Sequence, residues 1–177
     1  MTNLLSRIGT RAESGDPIAG GGFRRLLLAS EGREVGDAVM ARTVELAKPG
    51  ARVHVFSVAR VYGTSFGFPN PGLMPTKREW DGQERLVSTA VRRLRRNGFR
   101  ATGQVLGTRQ ATRRICEAAE REGCEAIVMG ADPDRSRLIA GLMWSQEPQR
   151  VRRRAKVPVF LVVDGSLWRG QQAAVRN

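Results

Sequence analysis

The sequence predicts an α/β protein built on a parallel β-sheet that is covered by helices on both faces. Short apolar runs alternate along the chain with segments in which apolar residues recur at helical spacing. Such runs are typical of buried parallel strands, and their alternation with helices indicates right-handed crossovers. The clearest case is the run Glu125–Gly130, which leads through a basic helical segment to the run Val157–Val163. Because ligands bind such sheets where loops leave the carboxyl ends of strands, function is expected in the loop after Gly130.

Five segments are predicted as strands, in the order βαβ, a long connection and then αβαβαβ. They are Arg25–Ala29, Arg52–Val58, Ala101–Leu106, Ala126–Met129 and Val157–Val163. All except the third are almost continuously apolar. Pro158, near the start of the last segment, suits an edge strand because proline donates no hydrogen bond to a neighbouring strand.

Four helices are predicted between these strands by stripes of apolar residues. The stripes are Val35, Val39 and Leu46; Val87, Ala90, Val91 and Leu94; Ala111, Ile115, Ala118 and Ala119; and Val151 with Ala155. Pro49-Gly50, Asn97-Gly98 and Gly123 are expected to end the first three helices. Pro148 suits the first turn of the fourth.

The chain of 177 residues is expected to form one domain, residues 23–165, with flexible tails at residues 1–22 and 166–177. No apolar run approaches the roughly 20 residues of a membrane helix, and no secretory signal is visible, so a cytoplasmic protein is expected. The connection from Ala59 to Lys77 carries Tyr62, Phe66 and Phe68. These aromatic residues either close a hydrophobic edge of the domain or form a lid over the ligand crevice.

The composition argues against an enzyme and against a metal site. The only histidine is His54, within an apolar strand, and the only cysteines are Cys116 and Cys124, which lack metal-ligand spacing. We therefore expect His54 to pack in its strand and both cysteines to behave as small apolar groups. No catalytic residues and no metal ligands are predicted.

The charge is strongly positive, at +13, and almost all of it comes from arginine. Two clusters stand out, Arg85, Arg92, Arg93, Arg95, Arg96 and Arg100, and Arg150, Arg152, Arg153, Arg154 and Lys156. The first cluster lies on a helix with an apolar opposite stripe, so a solvated face explains it, and neither cluster interleaves aromatic residues for base stacking. Nucleic acid is therefore expected to bind only non-specifically.

Several segments in order resemble the universal stress protein (UspA) family. They are Leu26–Gly32, Gly50–Val58, Gly107, Ala126–Gly130 and Ala155–Val162, within a match of about Phe23–Asp164. The resemblance implies a five-stranded parallel sheet of order 3-2-1-4-5, in the fold also called adenine nucleotide alpha hydrolase-like. It also implies a homodimer formed largely through the last strand.

Nucleotide-binding members of that family carry Gly-x2-Gly-x9-Gly-Ser/Thr after the fourth strand, where backbone N–H groups can reach phosphate. Here Gly130 matches the first glycine, but the second falls on Pro133, and the last glycine and its hydroxyl partner fall on Ser145 and Gln146. Asp132, Asp134 and Glu147 also place carboxylates where phosphates would lie. Arg135 and Arg137 could offset these negative charges.

The resemblance places a candidate nucleotide crevice at eight residues. They are Ala29, Ser30, Glu31, Val58, Met129, Gly130, Ser145 and Gln146. Glu31 occupies the position of an acidic residue that can accept a hydrogen bond from a ribose hydroxyl. It is equally explained as a solvated carboxylate near a helix N-terminus.

The sequence thus predicts a non-enzymatic stress-response or signalling protein that acts as a homodimer with protein partners and without a membrane. ATP binding is expected to be weak or absent, and no cofactor is expected. One alternative is a module that binds ATP or AMP through an altered phosphate loop. A second is a basic protein associated with nucleic acid.

Overall fold

A computed structural model describes residues 22–60, 77–131 and 147–163, and the backbone there forms nine elements. The strands are β1 (Phe23–Ser30), β2 (Ala47–Arg60), β3 (Arg100–Thr108), β4 (Ala126–Ala131) and β5 (Val159–Val163). The helices are α1 (Asp37–Leu46), α2 (Lys77–Arg96), α3 (Ala111–Arg121) and α4 (Glu147–Arg154). The parts of the predicted tails before residue 22 and after residue 163, and residues 61–76 of the long connection, lie outside the described residues.

The strands form one parallel sheet in the order β3-β2-β1-β4-β5, as predicted. β1 lies at the centre, where Leu26 is in register with Val53 on one side and Ala126 on the other. The chain passes from β1 outward to β2 and β3, then returns to add β4 on the opposite side. The strand order therefore reverses between β1 and β4, which is the place where ligands bind in open sheets of this kind.

The alternating side chains of the sheet supply two hydrophobic layers. Leu26 and Leu28 join the layer formed with α1 and α2, whereas Leu27 and Ala29 join the layer formed with α3 and α4. All four are at most 2% exposed. A central strand covered on both faces must be apolar at every position, which explains the continuous run that identified it in the sequence.

The first helix ends before Pro49-Gly50, as expected, whereas the last strand begins two residues later than predicted. α1 ends at Leu46, before Pro49-Gly50, and β2 already begins at Ala47. Lys48 precedes a proline, which disfavours the helical conformation there. β5 begins at Val159, one residue after Pro158, whose carbonyl oxygen accepts a hydrogen bond from the Ile127 N–H at 3.0 Å.

The predicted ends of the second and third helices are confirmed. α2 ends before Asn97-Gly98, with Gly98 at φ +83°, and α3 ends two residues before Gly123, at φ +59°. Pro148 is in the first turn of α4, and Val151 is a buried residue of the same helix. None of the described helices is long and apolar enough to cross a membrane.

Candidate ligand crevice

A crevice opens at the carboxyl ends of β1 and β4, where the strand order reverses. Five of the residues expected from the sequence line it, namely Ala29, Ser30, Glu31, Met129 and Gly130. Val39 of α1 lines one side and Pro148 of α4 lines the other. Because α1 and α4 cover opposite faces of the sheet, the crevice lies between the two layers, directly above the ends of the central strands.

The crevice is apolar at its base and narrow. Ala29 and Met129 are 2% and 1% exposed, and a methyl group added at Gly130 would lie 3.4 Å from Cγ2 of Val39. The volume is about 480 Å³, and this figure includes the mouth that is open to solvent. Small-molecule sites have volumes of roughly 300–1,000 Å³. A ligand would therefore place one group inside and the rest at the mouth.

The loop between β1 and α1 forms the polar wall of this crevice. Glu31, Arg33 and Glu34 all line it, and Oε1 of Glu31 is buried. The Ser30 hydroxyl donates a hydrogen bond to the Arg33 carbonyl oxygen at 2.5 Å, which closes the loop on itself. The wall carries two carboxylates and one guanidinium. It therefore accepts hydrogen bonds from hydroxyl and N–H groups better than it binds a phosphate anion.

Gly32 brings the loop close to the end of β2. Its φ is +83°, in the left-handed region that favours glycine, and an added Cβ would lie 3.2 Å from the Val58 carbonyl oxygen. Gln83 of α2 donates from Nε2 to the Gly32 carbonyl oxygen at 2.9 Å. The oxygen of the same amide accepts a hydrogen bond from the buried Ser57 hydroxyl at 3.1 Å.

The first turn of α4 lies where the crevice would meet a phosphate chain. Pro148 is buried there, and it has no N–H to offer an anion. The Glu147 carboxylate turns toward α3, where it accepts hydrogen bonds from the Thr112 N–H at 3.1 Å and from the Thr112 hydroxyl. Arg150 also contacts it, at 3.2 Å. Glu147 therefore stabilises the start of α3, a role that the sequence analysis did not foresee.

The other candidate residues are placed differently. Val58 is not among the described residues that line the crevice, because β2 lies on the side of β1 away from β4, and its carbonyl oxygen approaches Gly32 instead. Ser145 and Gln146 lie outside the described residues, as does Pro133.

Several residues at the crevice were missed by the sequence analysis. Arg33, Glu34 and Pro148 line the crevice, and Gln83 fixes its loop. A glycine two residues after a strand is a usable signal for a positive φ, and it would have drawn attention to Gly32. The sequence offers no comparable signal for Gln83, which lies 51 residues from the loop that it contacts.

The arginines of the first cluster have different environments. Arg93 forms an ion pair with Asp37 at 2.5 Å, and Arg95 donates two hydrogen bonds to the Ala101 carbonyl oxygen. Arg92, Arg96 and Arg100 are exposed. Part of this cluster therefore connects α2 to α1 and β3, and only the remainder is free to act as a solvated face.

The histidine and the cysteines lie away from the crevice. Burial lowers the pKa of His54, which Glu122 partly offsets and Arg121 reinforces, and its Nδ1 lies 2.8 Å from the Thr102 hydroxyl. Burial also raises the pKa of Cys116, and it raises that of Cys124 to about 11. No three histidine, cysteine, aspartate or glutamate side chains come together as metal ligands within residues 22–60, 77–131 and 147–163.

The fold is shared with known proteins. A universal stress protein from Archaeoglobus fulgidus is 18% identical, with a TM-score of 0.56 over 80% of this chain and 94% of that one. A member from Burkholderia pseudomallei is 19% identical, with a TM-score of 0.58 over 80% and 96% of the two chains. The A. fulgidus protein in complex with dAMP is 17% identical, with a TM-score of 0.52 over 78% and 97%.

No curated protein sequence matches this chain significantly. The model of the Universal stress protein family matches residues 22–163, which include every described strand and helix. With this match and the sheet order predicted for that family, the chain belongs to the universal stress protein family.

Proposed function

We propose that this chain is a non-enzymatic stress-response or signalling protein of the cytoplasm that acts as a homodimer and binds ATP weakly or not at all. The observation that carries the proposal is the first turn of α4, where Glu147 and the buried Pro148 stand. A helix N-terminus beside a crevice would ordinarily attract phosphate. Here one backbone donor is absent and a carboxylate occupies the neighbouring position.

The loop before α4 argues in the same direction. Pro133 replaces a glycine of the nucleotide motif, so it removes another N–H and cannot adopt a positive φ. Gln146 replaces the hydroxyl residue. Losing one donor to a charged group, or adding a nearby anion, costs on the order of 1–3 kcal/mol. Two such losses convert micromolar affinity into roughly millimolar affinity, because about 1.4 kcal/mol is a tenfold change.

Calorimetric titration tests this proposal. Mg-ATP should bind no more tightly than about 100 μM, which corresponds to about −5.5 kcal/mol. AMP and adenosine serve as comparison ligands, because they differ from ATP in the number of phosphates. If the phosphate side of the crevice contributes little, the three affinities should agree within about threefold. Low-micromolar binding of Mg-ATP, or a strong gain from AMP to ATP, would contradict the proposal.

The second candidate is a nucleotide-binding module with an altered phosphate loop, and the wall formed by Glu31 favours it. That carboxylate stands beside an apolar base that could cover a flat ring. The A. fulgidus neighbour was solved with dAMP, a ligand with a single phosphate. AMP binding that falls about tenfold in Glu31→Gln but not in Glu34→Gln would support this candidate. Equal binding by both variants would count against it.

The homodimer is proposed from the edge of the sheet. β5 pairs with β4 on one side only, and Val163 at its end is 36% exposed. An apolar edge strand is prone to aggregation unless another strand pairs with it. We therefore predict that β5 pairs with the β5 of a second copy about a two-fold axis.

Light scattering measures this assembly. Val159→Asp should give monomeric or insoluble protein, because a charge enters the paired strand. Val163→Asp should give soluble monomer, since its side chain contributes less to the core. Val163→Thr is the control and should remain a dimer. A wild-type protein that is monomeric at micromolar concentration would contradict the prediction.

A further inference from the structure

A side chain from α2 fixes the loop that carries Glu31 into the crevice wall. The amide of Gln83 has both of its ends engaged. Its Nε2 donates to the Gly32 carbonyl oxygen at 2.9 Å, and its Oε1 accepts from the Ser57 hydroxyl at 3.1 Å. One side chain thus joins the β1–α1 loop to the end of β2.

The buried Ser57 hydroxyl requires this hydrogen bond. Ser57 is 2% exposed and is one of two buried polar residues among the described part of the chain. A buried hydroxyl requires a hydrogen-bond partner, and Gln83 supplies one. Ser57 is also in register with Ser30, the last residue of β1. The contact therefore lies directly beside the point where β1 leads into the crevice loop.

The loop can approach Gln83 only because residue 32 is glycine. A Cβ at this position would lie 3.2 Å from the Val58 carbonyl oxygen and 3.4 Å from Nε2 of Gln83. The next carbonyl, that of Arg33, accepts the Ser30 hydroxyl. Two successive carbonyl groups are thus held by side chains, immediately after the residue that forms the crevice wall.

We propose that Gln83, supported by Ser57, is a positioning residue of the crevice that keeps the Glu31 carboxylate in its wall. This inference rests on the second candidate function, in which the crevice receives a ligand with hydroxyl groups. Gln83 does not line the described crevice itself, so it acts on a ligand only through the Gly32 loop. A loss of the amide releases the loop without altering any group that faces the ligand.

Two substitutions separate the two hydrogen bonds. Gln83→Met keeps the length of the side chain and removes both bonds, whereas Gln83→Glu keeps the acceptor for Ser57 and removes the donor to Gly32. Gln104→Met is the matched control, because Gln104 is an exposed glutamine that accepts from Arg121 at 3.0 Å. If Gln83→Met folds poorly, Gln83→Glu provides the same test with Ser57 still paired.

Three measurements are made on each variant: amide hydrogen exchange of residues 31–34, the carboxyl carbon signal of Glu31 by NMR, and AMP affinity by NMR titration. In Gln83→Met and Gln83→Glu, exchange should accelerate about 3- to 10-fold, the scale of one neutral hydrogen bond. The Glu31 signal should move, and AMP affinity should fall by a similar factor. Gln104→Met should match the wild type in all three.

The outcomes separate this inference from the proposed function. Wild-type exchange and an unmoved Glu31 signal in both Gln83 variants would overturn the inference, whatever AMP does. Faster exchange with unchanged AMP affinity would overturn it too, because Gln83 would then only stabilise the loop. If the wild type binds no AMP at millimolar concentration, the nucleotide candidate fails, and the Glu31 signal alone then decides whether Gln83 positions that carboxylate.

Discussion

The two sides of the crevice, here called its banks, differ in the polar groups that they offer a ligand. The bank formed by the β1–α1 loop has an acidic residue, Glu31, and a loop fixed by Ser30 and by Gln83. The bank formed by β4 and the start of α4 has Gly130, but then Pro148 and a glutamate that serves α3. The first bank presents carboxylates that accept hydrogen bonds, whereas the second carries a proline, which has no N–H.

This difference shows that the residues that build the fold are not the residues that would bind a ligand. The apolar interiors of β1 and β4 form the sheet whatever follows Gly130. Phosphate binding depends instead on a few backbone N–H groups after β4, and each proline removes one of them without disturbing the sheet. This separation is the basis of the proposal that the crevice persists while affinity for a triphosphate is weak.

The largest expected effect concerns the first bank. Gly32→Ala should lower the free energy of unfolding by about 2–3 kcal/mol, because alanine must adopt a left-handed conformation against the Val58 carbonyl oxygen. Gly98→Ala is the matched control, since Gly98 has the same φ of +83° and no atom within 4 Å of an added Cβ. It should lose only about 1 kcal/mol. Urea unfolding measures both, and equal losses would contradict the close packing inferred for Gly32.

The sequence was sufficient for the fold because the central strands are buried on both faces. β1 has four consecutive residues, Leu26 to Ala29, that are at most 2% exposed. A short, continuously apolar run with turn residues on either side is typical of a strand that is buried on both faces. The ends of elements were less certain. Pro49 directly restricts Lys48, but α1 already ends at Leu46 and Ala47 is extended.

The candidate site could be predicted only where it follows from strand ends. Ala29, Glu31, Met129 and Gly130 lie together because β1 and β4 are neighbours in the sheet. Val58 belongs to the same layer as Ala29 and Met129, but β2 lies on the other side of β1 from β4, so only the Val58 carbonyl oxygen is near the loop. Contacts such as those of Gln83 depend on how α2 packs, and local sequence carries no information about them.

A smaller effect is expected on the second bank. Gly130→Ala adds a methyl group 3.4 Å from Val39, an ordinary contact, so the free energy of unfolding should change by less than about 0.5 kcal/mol. The same methyl group narrows the crevice, and AMP affinity should fall about tenfold if the ligand lies above β4. Heat denaturation and NMR titration measure the two quantities. If AMP affinity is unchanged, any ligand contacts only the β1–α1 loop side of the crevice.

The smallest expected effect tests whether the crevice is independent of the rest of the sheet. His54 lies on the α3 face, near Arg121 at the end of that helix, and the structure lowers its pKa from 6.5, mainly by burial. Below that value the unfolded chain takes up a proton that folded His54 resists. Stability should therefore be fully present above about pH 6.5 and decline as the pH falls toward the lower folded pKa. Because the side chain is only partly buried, the decline should stay below the ~1.4 kcal/mol of a full unit. His54→Gln should lose this part of the pH dependence when both proteins are unfolded in urea between pH 7.5 and 5.

AMP affinity over the same range should be equal in the two proteins, since the imidazole faces Thr102 and not the crevice. A difference in AMP affinity between them would mean that the α3 face and the crevice are coupled.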